Sequence, residues 1–111
     1  MSDSPPILIR RGDTFDLNLT WDSVQSEPLG AETVIEAQIR WSTGAAPLDL
    51  GVVIDDRAAG ECSIYIPASE TLDWPPARSH QLLISRVDVG AGEQGDDYRW
   101  PTLARYLRVI A

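Results

Sequence analysis

A chain of 111 residues in which 43% are hydrophobic can close one core without a metal or a disulfide, which sets aside disorder as its resting state. The formal charge of −8 opposes nucleic acid and anionic membrane surfaces, because those partners are held largely by cations. The single cysteine excludes an internal disulfide, and no apolar run approaches the ~20 residues of a membrane-spanning helix.

In chain order, Met1-Ser2-Asp3-Ser4-Pro5-Pro6 reads as a flexible arm. It carries neither the basic nor the apolar segment of a secretory leader, so synthesis in the cytoplasm is expected. A single domain over 7–111 follows, opening with Ile7-Leu8-Ile9 as a short strand. From Phe15 to Trp21 the apolar residues Phe15, Leu17, Leu19 and Trp21 alternate with Asp16, Asn18 and Thr20, the period-two pattern of a half-buried strand. The pattern returns in Ile35, Ala37, Ile39 and Trp41, and again in Cys62, Ile64 and Ile66. Leu48 to Ile54 is apolar on both faces, with Gly51 marking a bulge. Gln81 to Val89 is a long mixed strand, and Leu103 to Ile110 closes the chain.

Turn chemistry separates these segments at Arg11-Gly12-Asp13, Pro28-Leu29-Gly30, Thr43-Gly44, Asp55 to Gly60 and Gly90 to Asp97. Pro67 to Thr71 reads as a turn running into one helical turn capped by Ser69. Seven strands with turn signals between them predict an all-β fold, an antiparallel β-sandwich of about seven strands.

Little in the chain suits catalysis. The one histidine, His80, stands beside Ser79 in a strand, where neighbours point to opposite faces, and is expected at the surface or at a turn end. Cys62 falls on an apolar strand face and is expected in the core. One His and one Cys cannot make a structural zinc site, and the acidic loops lack the ligand spacing of a calcium loop. There is no phosphate-binding glycine loop, so no metal or cofactor is expected and the chain is not expected to be an enzyme. Arg11-Gly12-Asp13 spells an adhesion tripeptide but reads here as the turn before a strand.

The aromatic residues carry more information. Trp21 and Trp41 each finish an apolar face and are expected in the core or at its rim. Trp74, Tyr98, Arg99 and Trp100 sit in loop-like, proline-flanked stretches, and exposed Trp and Tyr beside Arg are enriched in protein interfaces. These four are the candidate interface. The alternative is a carbohydrate-binding module with Trp74 and Trp100 as stacking platforms. An acidic DNA mimic is a third reading, weakened by acids scattered among strands and loops. All nine cationic residues are Arg, whose planar donors suit fixed carboxylate contacts.

Ile9-Arg10-Arg11-Gly12-Asp13-Thr14-Phe15 resembles the Gly-Asp-Thr opening of small phage domains. These include the N-terminal domain of siphophage upper baseplate proteins and related Ig-like virion proteins. Ala31 to Arg40, Gly60 to Pro67, Thr71 to Trp74, Gln81 to Asp88 and Thr102 to Val109 are similar to that family's later strands and turn. The chain departs from the pattern at His80-Gln81, where the family has an aromatic-Asp pair, and lacks a glycine before the last strand. The resemblance implies an Ig-like sandwich. It also implies a structural role in a tailed-phage particle or phage-derived assembly, at the tail, baseplate, neck or capsid surface. The implied partners are other virion proteins, met as repeated copies or as a homo-oligomer, with the protein located in the virion.

Overall fold

A computed structural model describes residues 6–21 and 29–111. The expected arm (apart from Pro6) and Pro28 of the Pro28-Leu29-Gly30 turn lie outside the described residues. Nine strands are present among the described residues: β1 Ile7–Arg10, β2 Phe15–Thr20, β3 Thr33–Arg40, β4 Leu48–Leu50, β5 Val53–Asp56, β6 Glu61–Ile66, β7 Ala77–Asp88, β8 Tyr98–Arg99 and β9 Leu103–Ile110. One helical turn, α1 Ala68–Thr71, joins β6 to β7. One sheet has the order β1-β9-β7-β3-β4, with β8 also on β7, and the other has the order β2-β6-β5. The two sheets pack as a sandwich-like all-β fold. No helix among the described residues is long and apolar enough to cross a membrane.

Two expectations about the strands need correction. The first sheet is mixed rather than antiparallel, because β1 runs parallel to β9 from Ile7↔Leu107 to Arg10↔Ile110. The turn after β1 sends the chain into the other sheet, so β1 has no hairpin partner of its own and lies along β9. Leu48 to Ile54 is two strands, not one with a bulge at Gly51. β4 pairs with β3 and β5 with β6, so Gly51 and Val52 carry the chain between sheets. A segment that changes sheets also changes its inward face, which explains apolar residues on both sides. The register irregularity falls instead between Ile54 and Asp56.

The alternating residues meet between the sheets. Ile35, Ala37, Ile39, Leu82, Ile84, Leu107 and Val109 from one sheet pack with Phe15, Cys62, Ile64 and Ile66 from the other. Burying each large aliphatic chain contributes roughly 1.5–3 kcal/mol. The Cys62 thiol belongs to this core as expected, and burial, helped by Asp55 and opposed by Arg57, pushes its pKa up.

An aromatic cluster closes one end. The Trp74 ring lies 5.7 Å from Phe15 and 5.6 Å from Trp41, and Trp41 stands edge-on to His80 at 4.8 Å. His80 is fully buried rather than at the surface, which corrects the sequence expectation. Its Nδ1 accepts the Ser42 N–H at 2.9 Å, so Nε2 carries the proton and donates to the Pro75 carbonyl at 2.6 Å. Both ring nitrogens are therefore satisfied inside the fold.

Ser69 lies within α1 and is not its cap, since Pro67 precedes the helix and no side chain caps it. The turn is held instead by buried Thr71, whose hydroxyl meets the Asp13 carbonyl at 2.6 Å and accepts the Gly12 N–H at 3.1 Å. Arg11 Nε donates to the Leu72 carbonyl at 2.9 Å. The Arg11-Gly12-Asp13 turn is thus a structural clamp between β1–β2 and α1.

Gly60, at φ 72°, ends the β5–β6 turn with its carbonyl accepting the Trp21 N–H at 2.7 Å. A Cβ there would be driven into the Trp21 carbonyl. Gly60→Ala is expected to cost at least about 1–3 kcal/mol from the left-handed backbone alone. Urea unfolding would read this as a lower midpoint at unchanged slope.

Candidate protein-contact site

The inward positions of β7 run Leu82, Ile84, Arg86 and Asp88, so the period that builds the core carries two opposite charges towards the interior at the strand's end. Arg86 is 1% exposed. Its Nε and Nη2 donate to the two Asp88 carboxylate oxygens at 3.2 and 3.3 Å. Cross-strand pairing sets Thr33 opposite Asp88, and the Thr33 hydroxyl donates to the same carboxylate at 2.6 Å. Thr33 in turn accepts the Gly30 N–H at 3.0 Å. From the β5–β6 turn, Arg57 donates to the Gly30 and Thr33 carbonyls, so that turn is tied to the segment leading into β3 at this end.

The segment between β7 and β9 closes over the pair. The Trp100 indole N–H donates to Asp88 at 2.8 Å, and the Arg86 guanidinium sits 4.6 Å from the centre of the Trp100 ring. The Trp100 backbone N–H donates to the Arg86 carbonyl at 3.0 Å, and Tyr98 stands edge-on to Trp100 at 5.5 Å. A charge pair with one buried and one half-buried partner is costly unless its remaining hydrogen-bonding capacity is filled, and here Thr33 and Trp100 supply further donors to Asp88.

Desolvation pushes the Asp88 carboxyl up. The hydrogen bonds from Thr33, Trp100 and Arg86, with the Arg86 charge, outweigh it and hold the group below its ordinary value. A depressed carboxyl contributes stability that is fully present above its unfolded pKa of ~3.9 and is lost as the pH falls through the lower folded value. The stability gap between the wild type and Asp88→Asn is therefore expected to stay constant above pH ~5 and to narrow below pH ~4. Thermal melts across that range would check it, and a gap that widens on acidification would contradict it.

What this clasp holds outward is the exposed part of the site. Tyr98 is 48% exposed, and Arg99 reaches over the outer face of the first sheet to Glu36 at 3.6 Å. That ion pair is open to solvent on both sides and holds Arg99 weakly. The loop behind it is braced internally by Gly90 N–H to Asp97 at 3.1 Å and Gly92 N–H to the Asp96 carbonyl at 2.6 Å. Val34, Val89 and Leu103 add exposed apolar surface at the same end. The arrangement presents an exposed aromatic-and-arginine surface beside the clasp.

Of the four sequence candidates, the structure brings together Tyr98, Arg99 and Trp100 and separates Trp74 from them. Trp74 precedes the far end of β7, a strand roughly 35 Å long, and is only 5% exposed. It belongs to the aromatic core cluster, because α1 and the following prolines fold it inward against Phe15 and Trp41. Trp100 is half-buried, more brace than surface. Sequence reasoning missed Arg86, Asp88 and Thr33. The signal was present in the continuation of the Leu82, Ile84 alternation into Arg86 and Asp88. Among the described residues no group of three or more His, Cys, Asp or Glu side chains is placed to hold a metal ion. No family model matches the chain, and no curated protein matches it.

Proposed function

We propose that this protein is a structural part of a tailed-bacteriophage particle or phage-derived assembly, seated in a repeated position by protein–protein contact through Tyr98 and Arg99. The observation that carries the contact reading is the clasp beside them, in which buried Arg86 joins the half-buried Asp88 and Trp100. A surface fixed before it meets its partner loses little side-chain and loop freedom on docking, and Tyr and Arg are the residue types that most often dominate such contacts. The assignment to a phage particle is supported by the resemblance of the Gly12-Asp13-Thr14 opening and the later strands to Ig-like virion domains.

A carbohydrate-binding module is less well supported. Sugar stacking needs the flat face of an exposed ring, and Trp74, one of the two platforms it relied on, is in the core.

The test is cosedimentation with assembled particles. The wild-type protein is expected in the particle fraction, and Tyr98→Ala/Arg99→Ala is expected to stay in the supernatant with unchanged stability. A wild-type protein absent from every particle fraction removes the virion reading. A double variant that sediments as well as the wild type removes this surface.

A further inference from the structure

At the end of the sandwich opposite the Arg86 clasp, a groove of about 760 Å³ lies between β4 and α1. Its apolar lining includes Trp41, Leu50 and Trp74, all buried, together with the exposed Tyr65. The charged residues lining it are Asp49, Glu70 and Asp73, and no basic side chain lines it. Among the described residues β4 pairs only with β3, so its other edge presents unpaired backbone groups beside this groove.

We propose that the groove binds an extended segment of a partner protein in which arginine or lysine alternates with apolar residues, added along the free edge of β4. This deepens the protein-contact reading by naming a second surface and the chemistry of its occupant. Charge complementarity chooses that occupant. The apolar lining takes the aliphatic stem of a long cationic side chain, and the exposed Tyr65 ring with the carboxylates beside it holds the charged head. The three carboxylates do not converge on one metal-sized point, and so fit cations spaced along a chain. Strand addition supplies main-chain hydrogen bonds, and the alternation sends every second side chain to the groove. A second copy of this chain is a poor occupant, because each copy carries a charge of −8 and the two would repel.

The probe is a synthetic heptapeptide of alternating valine and arginine, blocked at both ends, titrated into the full chain and followed by amide and indole NMR shifts. Shifts are expected at Leu48–Leu50 and at the Trp41 and Trp74 indoles. Glu70→Gln/Asp73→Asn is expected to weaken binding by at least about tenfold, as loss of charge-assisted contacts would. Glu93→Gln/Asp96→Asn removes the same charge at the other end and is expected to leave the affinity unchanged. Equal weakening by the two variants, equal binding of the peptide with glutamine for arginine, shifts confined to the Tyr98 end, or no shifts at all would each overturn the proposal. Concentration-dependent shifts at β4 without peptide would overturn it in favour of a second copy. Cosedimentation is scored separately, so a failed titration with particle association intact removes the groove and leaves the contact reading standing.

Discussion

Arg86→Ala is expected to destabilise the fold by about 3–5 kcal/mol, a large part of the roughly 5–15 kcal/mol available to a domain of this kind. The cause is what the arginine leaves behind. Asp88 keeps its hydrogen bonds from Thr33 and Trp100 but loses the only cation that an ion pair gives it among the described residues. Trp100 loses the guanidinium that its ring covers. Thermal unfolding should register a fall in Tm of more than about 10 °C. Because the two charges act as a unit, Arg86→Ala/Asp88→Ala should cost less than the sum of the single changes. Strict additivity would mean that the pair contributes no coupling and that the loop is held by something else. Hydrogen exchange at Tyr98 and Arg99 should also quicken in Arg86→Ala, since the brace under them is gone.

Trp74→Ala is expected to cost about 3–5 kcal/mol as well, for a different reason. Removing the indole opens a cavity among Phe15, Trp41 and the neighbouring core, which the rigid turn around α1 cannot collapse to fill. This result separates a core tryptophan from an interface one. A core residue gives a large shift in the urea midpoint of the isolated protein, whereas an interface residue would leave that midpoint within about 0.5 kcal/mol of wild type and weaken only association. Tyr98→Ala should behave in the second way.

The core was legible in the sequence wherever one face is wet and the other dry. Ile35, Ala37 and Ile39 on β3 and Cys62, Ile64 and Ile66 on β6 alternate with polar neighbours, and all six are buried. Three things were not legible, each because it depends on contacts that local alternation does not record. The parallel pairing of β1 with β9 joins residues about a hundred positions apart, and local alternation carries no record of a partner. His80 looks like a surface residue until the Pro75 carbonyl and the Ser42 N–H arrive from two turns to satisfy it. Trp74 sits in a proline-rich stretch that composition assigns to a loop, and only the fold of α1 turns it inward.

The candidate surface was half legible in the sequence. Tyr98 and Arg99 are at the surface as the sequence suggested, because a long segment rich in glycine and aspartate has nowhere to bury them. The contacts that brace the neighbouring Trp100 come from Arg86 and Asp88, with Thr33 opposite, whose polar identities discourage an interior reading. Two charged residues that continue a core alternation are the clue to a satisfied buried pair, and the Thr33 opposite completes it.

The most direct measurement is photocross-linking from inside an assembled particle, with a benzophenone side chain placed at position 98 in place of Tyr98. The account predicts a discrete adduct to another particle protein from position 98, and none from the same group placed at the exposed Leu8 on β1, at the sheet edge remote from β4. An adduct from position 8 with silence at 98, or particles that carry no copy of the chain, would contradict it.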